Sequence, residues 1–296
     1  MESLGAVLEA VCGSGTLLSV QPGGNHGDTL IYRGFEKVVS GTGVDHRPFG
    51  TGENRYDGPP VFPTANVLRN ARFVAQHSRY LGHRLLTDPA AVYVHGGGNF
   101  NDVWASGIEC FGTVARYFDC PVVVGPQSCR FEDLDPARIF GRVDNDVHFF
   151  CREEYSYDIV REAVGDLAHV SLYLADDTAL SLRAADLPVR DRGDEYTLVA
   201  MRADAESASP LLRDDLDAPV RVSDVSVTAD SFAGFVDAVA RAESVQTDRL
   251  HVAVLATLLD TPVTWYEIGY HKARGVYEHS LADRETVTFV PREQWA

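Results

Sequence analysis

Short apolar runs that alternate with helical patterns constrain the fold of this chain more than any other feature. The runs have the length of strands, and the segments between them carry apolar residues at helical spacing. Strands that alternate with helices over roughly 170 residues predict a parallel sheet with helices on both faces, which is an α/β fold. Between the first two runs we expect a surface loop over residues 41–64 and a helix around residues 65–80. The runs are Thr16–Val20, Ala91–Val94, Val122–Val124, Val147–Cys151 and Val170–Leu174.

A second, smaller unit of the same kind follows a linker. Residues 184–194 are charged and poor in apolar residues, which is typical of a segment between domains. We therefore expect two Rossmann-like domains that face a cleft. The first covers residues 1–185 and carries glycine loops, and the second covers residues 195–296. The expected elements of the second domain are the strands Tyr196–Met201 and Pro262–Tyr266 and the helices Phe232–Ala240 and Val252–Leu259.

The composition indicates an acidic protein of a reducing compartment. Its formal net charge is −17, from 43 acidic and 26 basic residues, and Lys37 and Lys272 are the only lysines. Such surfaces are typical of a high-salt cytoplasm, and they disfavour a nucleic-acid partner. The cysteines form no CxxC pair, and no apolar run is long enough to span a membrane. We expect a cytoplasmic protein with at most peripheral membrane association, and we leave a homo-oligomer open.

Two glycine-rich motifs follow predicted strands. One contains Gly24, Asn25, Gly27 and Asp28, and we expect Asp28 to cap a following helix. In α/β proteins, a glycine loop between a strand and a helix brings backbone amides close to a ligand. From the glycines alone, a tight turn without a ligand is an equally good interpretation. The other motif comprises His95, Gly96, Gly97, Gly98 and Asn99, and we expect it to connect a strand to a helix that includes Trp104, Ile108 and Phe111.

Several common catalytic motifs are missing from the sequence. It has no GxxxxGKS/T phosphate loop, no GxGxxG dinucleotide motif and no GxSxG nucleophile turn. Its histidines show no HxH or HxxxH pairing of the kind that binds metals. We therefore expect neither a catalytic metal nor a nucleotide cofactor.

Charged and polar residues at predicted strand ends are candidates for catalysis. Arg249 and His251 lie two residues apart at a strand-to-helix junction, where a guanidinium can bind a carboxylate or phosphate and an imidazole can act as general acid or base. Arg152 and Arg202 also follow predicted strands. Taken singly, each of these residues is better explained as a surface ion pair or as a partner of a helix end. Gln127 and Ser128 suit sugar hydroxyls or phosphate, and we place them in a polar turn after a strand.

Together these motifs resemble the polysaccharide pyruvyl transferase family. The resemblance rests on the whole set in its order, and it extends from about residue 23 to about residue 272. The motifs are GGNHGDTLI at Gly23–Ile31, HGGGNFNDVW at His95–Trp104, GPQS at Gly125–Ser128, CREEYSY at Cys151–Tyr157, DDTAL at Asp176–Leu180, MRADAES at Met201–Ser207 and TDRLHVAVLA at Thr247–Ala256.

The resemblance implies a two-domain fold similar to that of the glycosyltransferase-B type. It also implies transfer of a pyruvyl group from phosphoenolpyruvate to two hydroxyls of a sugar, which forms a cyclic ketal and releases phosphate. The strand-end arginine of the family falls on Arg152, and its RLH motif falls on Arg249 and His251. We expect His251 to transfer protons and the arginines to bind the anionic donor.

The other implied contacts with substrate come from the glycine motifs, Gln127, Ser128 and Arg202. The acceptor would be a sugar of a glycan, linked to a lipid or to a nucleotide, and phosphoenolpyruvate would be a substrate, with no cofactor. Two other functions stay open. One is a sugar-nucleotide glycosyltransferase of the glycosyltransferase-B type, and the other is a non-catalytic glycan-binding protein on the same fold.

Overall fold

The computed structural model describes residues 2–49, 82, 88–190, 192–193, 195–202, 204 and 219–294. The predicted helix around residues 65–80 and most of the predicted surface loop over residues 41–64 lie outside these residues. Every strand pairing in the described part of the chain is parallel, and the strands form two sheets with helices packed against them. The predicted α/β fold with parallel sheets is therefore confirmed.

Within the described residues, the first sheet has seven strands in the order β2-β1-β3-β5-β6-β7, with β4 paired to β5. Leu17 and Leu18, which are neighbours on one strand, belong to different apolar clusters. Because successive strand residues point to opposite faces, this alternation means that both faces of the sheet are buried. The strands are β1 Thr16–Val20, β2 Asp45–Pro48, β3 Ala91–Val94, β4 Gly97–Asn101, β5 Val122–Arg130, β6 Val147–Cys151 and β7 Val170–Leu174.

Helices cover the two faces of the first sheet. Side-chain caps lie at the start of several of them: Ser3 accepts from the amide of Ala6, Asp135 from that of Ala137, and Glu153 from that of Ser156. Within the described residues the helices of this unit are α1 Leu4–Cys12, α3 Ser106–Tyr117, α4 Pro136–Phe140 and α5 Glu154–Val164, together with the C-terminal part of α2 His26–Ser40.

In the part of the chain that the structure describes, the second sheet has five strands in the order β12-β11-β10-β8-β9. Its core includes the buried residues Trp265, Phe235 and Val254, and the helix Leu250–Leu258 is buried along almost its whole length. The strands are β8 Tyr196–Ala200, β9 Val220–Val222, β10 Ala242–Thr247, β11 Val263–Tyr266 and β12 Val287–Val290. The helices are α6 Val225–Thr228, α7 Phe232–Ala240, α8 Leu250–Leu258 and α9 Lys272–Val276, with a π-helical turn at Tyr277–Leu281 and 3₁₀ turns at Thr178–Ser181, Ala184–Asp186 and Arg292–Gln294.

The chain divides into two compact units. The first comprises Met1–Gly23 and Phe35–Ala175, and the second comprises Gly24–Gly34 and Asp176–Ala296. The predicted domains over residues 1–185 and 195–296 stay a prediction, and the units differ from them in placing residues 24–34 and 176–185 with the second sheet.

Three segments predicted as loops or turns are strands in the described part of the chain, and the first is Asp45–Pro48, which lies in the predicted loop over residues 41–64 and forms β2. The Gly97–Asn101 segment forms β4, which pairs with the second half of β5, so the glycine motif does not run directly from a strand into a helix. The segment Gly125–Ser128, predicted as a polar turn, lies inside the nine-residue strand β5. Glycine and polar side chains do not advertise a strand, and here backbone pairing between distant segments determines the structure. Trp104, predicted to be helical, precedes α3 and is exposed.

The helices within the described residues include none that is both long enough and apolar enough to cross a membrane.

Candidate active site

Arg249 lies where β10 ends and α8 begins, at the N-cap position of that helix. Its backbone amide donates to Thr247 Oγ1 at 2.9 Å, and that hydroxyl in turn donates to the carbonyl of Ala200. The strand end therefore fixes the backbone from which the guanidinium extends. The guanidinium bonds through Nε and Nη2 to Asp224, and its Nη1 lies 3.1 Å from Asp204 Oδ2.

Arg202 follows β8, the strand that pairs with β10. Its Nε and Nη2 donate to the two carboxylate oxygens of Asp204, at 2.7 and 3.0 Å. Because parallel strands end at the same edge of a sheet, two candidates that are far apart in sequence come together here. Arg202 and Arg249 share the carboxylate of Asp204.

Asp248 is the buried carboxyl group of this cluster. Its Oδ1 accepts from the backbone amide of Arg202 at 2.8 Å, and its Oδ2 is buried without a hydrogen-bond partner within the described residues. Burial raises the pKa of Asp248 to about 6, although the charges of Arg202 and Arg249 act in the opposite direction. A buried acid with a perturbed pKa beside two arginines is typical of a functional site.

His251 lies in the first turn of α8, two residues beyond Arg249. Its Nε2 is 3.3 Å from Oδ2 of Asp177, a buried residue whose other oxygen accepts from the amide of Ala179. A carboxylate on one ring nitrogen orients the imidazole and leaves the other nitrogen, Nδ1, for proton transfer. The pair is therefore a candidate acid–base group.

The first glycine motif supports both a helix end and the candidate histidine. The side chain of Asn25 accepts from the amide of Gly27, and Asp28 accepts from the amide of Asn25, each at 2.8 Å. This reciprocal pair is a capping box with Asn25 at the N-cap, so the prediction that Asp28 itself is the cap is wrong. A Cβ on Gly27 would lie 2.9 Å from Cβ of His251, and a Cβ on Gly24 would meet Asp28. Only glycine leaves that space beside His251.

In the first unit, Arg152 and Ser128 are in contact. Arg152 follows β6 and is buried, and its Nε donates to Ser128 Oγ at 2.8 Å. Its backbone amide donates to the carbonyl of Gln127, whose side chain donates to the carbonyl of His95. The predicted residues His95, Gln127, Ser128 and Arg152 are therefore neighbours at the carboxyl edge of the first sheet.

Glu153 is a residue of this region that the sequence interpretation missed. It is buried, and burial raises the pKa of its carboxyl, against hydrogen bonds from Ser156 and the charge of Arg152. Glu153 is the N-cap of α5. The hydroxyl of Ser156 bonds to Glu153 and accepts from the amide of Cys129 at 2.7 Å. The sequence signal that could have identified Glu153 is its position directly after an arginine at a strand end.

The second glycine motif is packed against its own sheet. A Cβ on Gly96 would lie 2.3 Å from the carbonyl oxygen of Pro126, so the close approach of two backbone segments requires glycine there. Gly97 has a φ of 141° and pairs with Gln127, and the carbonyl of Gly98 accepts from Asn101. Asn99 Oδ1 is buried and has no hydrogen-bond partner within the described residues. The glycines therefore have a structural reason that is independent of any ligand.

The structure thus places the candidates in two groups, one in each unit. The residues that sequence reasoning missed are carboxylates that contact a candidate arginine or histidine or follow one directly in the sequence. Asp177 and Asp204 lie inside the motifs DDTAL and MRADAES, but nothing in the sequence links them to particular partners. The missed carboxylates are Glu153 in the first unit and Asp177, Asp204, Asp224 and Asp248 in the second.

Polar groups at the carboxyl ends of parallel strands are typical of α/β proteins that bind a ligand at this edge. A family profile described as polysaccharide pyruvyl transferase matches residues 25–270, and the chain belongs to that family. It is therefore a transferase, and the predicted family membership is confirmed.

A solved structure supports the fold. A functionally uncharacterised protein from Klebsiella pneumoniae is similar to this chain with a TM-score of 0.67 and 19% sequence identity. The alignment covers 97% of this chain and 96% of that protein, so the similarity extends over the whole fold. No curated protein matches the sequence.

Proposed function

We propose that this protein transfers the pyruvyl group of phosphoenolpyruvate to two hydroxyls of a sugar in a glycan or its precursor. The observation that carries the proposal is that Arg249 and His251 lie two residues apart at one strand end. The side chain of each contacts a buried or partly buried aspartate. The family supports a glycan acceptor. The donor and the roles of the residues are our assignment.

The reaction requires anion binding and proton transfer. Two sugar hydroxyls add to C2 of the donor, and the bond between C2 and the phosphate oxygen breaks. The two hydroxyls lose two protons. A proton adds to the methylene carbon, which becomes a methyl group, and the other proton leaves with phosphate. Arginines stabilise the carboxylate and the departing phosphate, and no cofactor is needed.

His251 is the proposed general acid or base. Asp177 engages its Nε2, so Nδ1 is the nitrogen available to the reacting groups. Arg249, Arg202 and Arg152 are the proposed anion-binding residues. The remaining predicted contacts stay proposals at the residue level: Gly24, Asn25, Gly27, Asp28, His95, Gly96, Gly97, Gly98, Asn99, Gln127 and Ser128.

The coarser context is part of the same proposal. The two parallel sheets support an assignment as Rossmann-like domains of a fold similar to the glycosyltransferase-B type. The proposed reaction fits a cytoplasmic location, because the protein would meet phosphoenolpyruvate and nucleotide-linked or lipid-linked sugars there.

The test measures phosphate release from phosphoenolpyruvate with a panel of nucleotide-linked and lipid-linked hexoses. In heavy water, the product should be a ketal whose methyl group carries one deuterium from solvent, which identifies protonation of the donor's methylene carbon. Phosphate release in reactions without sugar measures simple hydrolysis of phosphoenolpyruvate and is subtracted. Arg249→Lys should weaken donor binding because lysine lacks the planar fork, while Arg241→Lys, at an exposed pair with Glu195, should not.

Calorimetry separates the two alternative functions from this one. Heat from nucleotide sugars with none from phosphoenolpyruvate, together with release of a nucleoside diphosphate, would indicate a glycosyltransferase. Binding of a glycan without any donor would indicate a non-catalytic protein. Either result would reject the proposed reaction.

A further inference from the structure

The carboxylate of Asp204 is held by two arginines at once. Arg202 donates to it through Nε and Nη2 at 2.7 and 3.0 Å, and Arg249 Nη1 lies 3.1 Å from the second oxygen. Two guanidiniums directed at the two oxygens of one planar group form a carboxylate cradle. Paired contacts of this kind are what arginine provides for carboxylates in general.

Three aspartates share the cluster with two arginines. Asp204, Asp224 and Asp248 all contact Arg202 or Arg249, so the local charge is not positive when every carboxyl group is ionised. An anionic ligand is therefore repelled unless one aspartate leaves.

Asp204 is the aspartate that is best placed to leave. Its side chain is 28% exposed, whereas that of Asp224 is 15% exposed and Asp248 is fully buried. The contacts of Asp204 in the cradle come from side chains, while Asp248 is anchored by the backbone amide of Arg202. Both arginine side chains are almost completely buried and stay with the sheet edge.

We propose that Arg202 and Arg249 form the subsite for the carboxylate of the substrate, and that Asp204 occupies this subsite until the substrate displaces it. The inference rests on the proposed function for the identity of the substrate, since phosphoenolpyruvate carries one planar carboxylate. Asp204 thereby sets the affinity for the donor and acts as an internal competitor. The phosphate of the donor binds elsewhere.

Asp204→Asn tests the proposal because it removes the competing charge and keeps the shape. Calorimetry with pyruvate, which has the carboxylate alone, and with inorganic phosphate separates the two ends of the donor. We expect the variant to bind pyruvate and phosphoenolpyruvate about tenfold more tightly, with a much smaller gain for phosphate. A residue that merely supports the fold would not produce a gain in affinity when it is replaced.

Two further variants complete the experiment. Glu195→Gln removes one negative charge from the exposed pair with Arg241 and should leave pyruvate binding unchanged, which excludes an effect of net charge. Arg202→Lys combined with Asp204→Asn should cancel the gain, because the planar fork is lost. Asp204→Ser serves in the same assay if the asparagine variant melts at a lower temperature than the wild type.

Weaker or unchanged pyruvate binding in both Asp204 variants would overturn the inference, as would an equal or larger gain for phosphate. The outcome is separate from that of the proposed function. A gain for pyruvate without any turnover of phosphoenolpyruvate would reject the reaction and keep the carboxylate subsite. Turnover with no gain in either variant would keep the reaction and reject the role of Asp204.

Discussion

In each sheet, one strand is followed by an arginine and a buried acidic residue that are neighbours in the sequence. In the first unit the pair is Arg152 and Glu153 after β6, and in the second it is Asp248 and Arg249 after β10. Burial raises the pKa of both acids. The two regions look alike in sequence, but their hydrogen bonds differ.

The first pair is built into the sheet and the following helix. Arg152 donates to the hydroxyl of Ser128, and Glu153 caps α5. Arg249 is held instead by carboxylates, of which Asp204 is partly exposed, and it lies beside the histidine of the RLH motif. Carboxylates can be exchanged for an anionic substrate, whereas a helix cap cannot be given up without a loss of stability. The comparison therefore favours the second unit as the place of the chemistry.

The largest expected effect is on catalysis by His251. His251→Gln should lower the rate of phosphate release about 10²–10⁴-fold, because glutamine can hydrogen-bond but cannot transfer a proton at neutral pH. The measurement is kcat for release of phosphate from phosphoenolpyruvate with the accepted sugar. His279→Gln is the matched control, since His279 Nε2 lies 3.7 Å from the neighbouring carboxylate of Asp176. Equal rates in the two variants would remove His251 from the mechanism.

Gly96 and Gly27 should respond differently to alanine. In Gly96→Ala the new Cβ meets backbone atoms of Pro126, which cannot move aside, and we expect a loss of about 3 kcal/mol in the free energy of unfolding. In Gly27→Ala the new Cβ meets the side chain of His251, so the loss of stability should be about 1–2 kcal/mol, with a larger effect on kcat than on KM. Denaturant unfolding and steady-state kinetics measure both. The reverse pattern would contradict the comparison.

Asp248 should make stability depend on pH. Its pKa is raised from 3.8 to about 6 in the folded protein, so the folded state holds more protons between these values. The contribution of this carboxyl group is therefore favourable below pH 3.8 and is lost as the pH rises through about 6. Asp248→Asn stays neutral, and relative to wild type it should gain about 2 kcal/mol in the free energy of unfolding between pH 4 and pH 7.

Urea unfolding of both proteins at several pH values checks this prediction. Glu195→Gln, in an exposed pair, controls for the change in net charge. Parallel stability curves for Asp248→Asn and wild type would show that the buried carboxyl group does not titrate as the geometry predicts.

The strands were predictable where apolar side chains dominate. Thr16–Val20, Val147–Cys151 and Val170–Leu174 have the same bounds in the structure as in the sequence prediction. Such runs are buried by helices on both faces of a parallel sheet, so hydrophobicity alone marks them. Strand Gly97–Asn101 was missed because its partner, β5, supplies the backbone pairing and its own side chains give no strand signal.

The candidate site was only half predictable for a related reason. The position of Arg249 and His251 at a strand-to-helix junction follows from local pattern. Their partners Asp224 and Asp177 lie 25 and 74 residues away, so only the folded sheet brings them together. Without those partners, the sequence cannot distinguish an arginine with an exchangeable carboxylate from one that is built into the core.

The smallest effect that we predict concerns Asp28, which has both a structural and a proposed functional role. Asp28→Ala removes one half of the capping box at the start of α2, and we expect a loss of about 1 kcal/mol in the free energy of unfolding. Ser3→Ala removes the cap of α1 and should cost a similar amount. If Asp28 also contacts the sugar, only Asp28→Ala should raise KM for the acceptor. Equal KM values in the two variants would assign Asp28 to the helix end alone, and the second unit would then offer the acceptor fewer groups than its motif suggests.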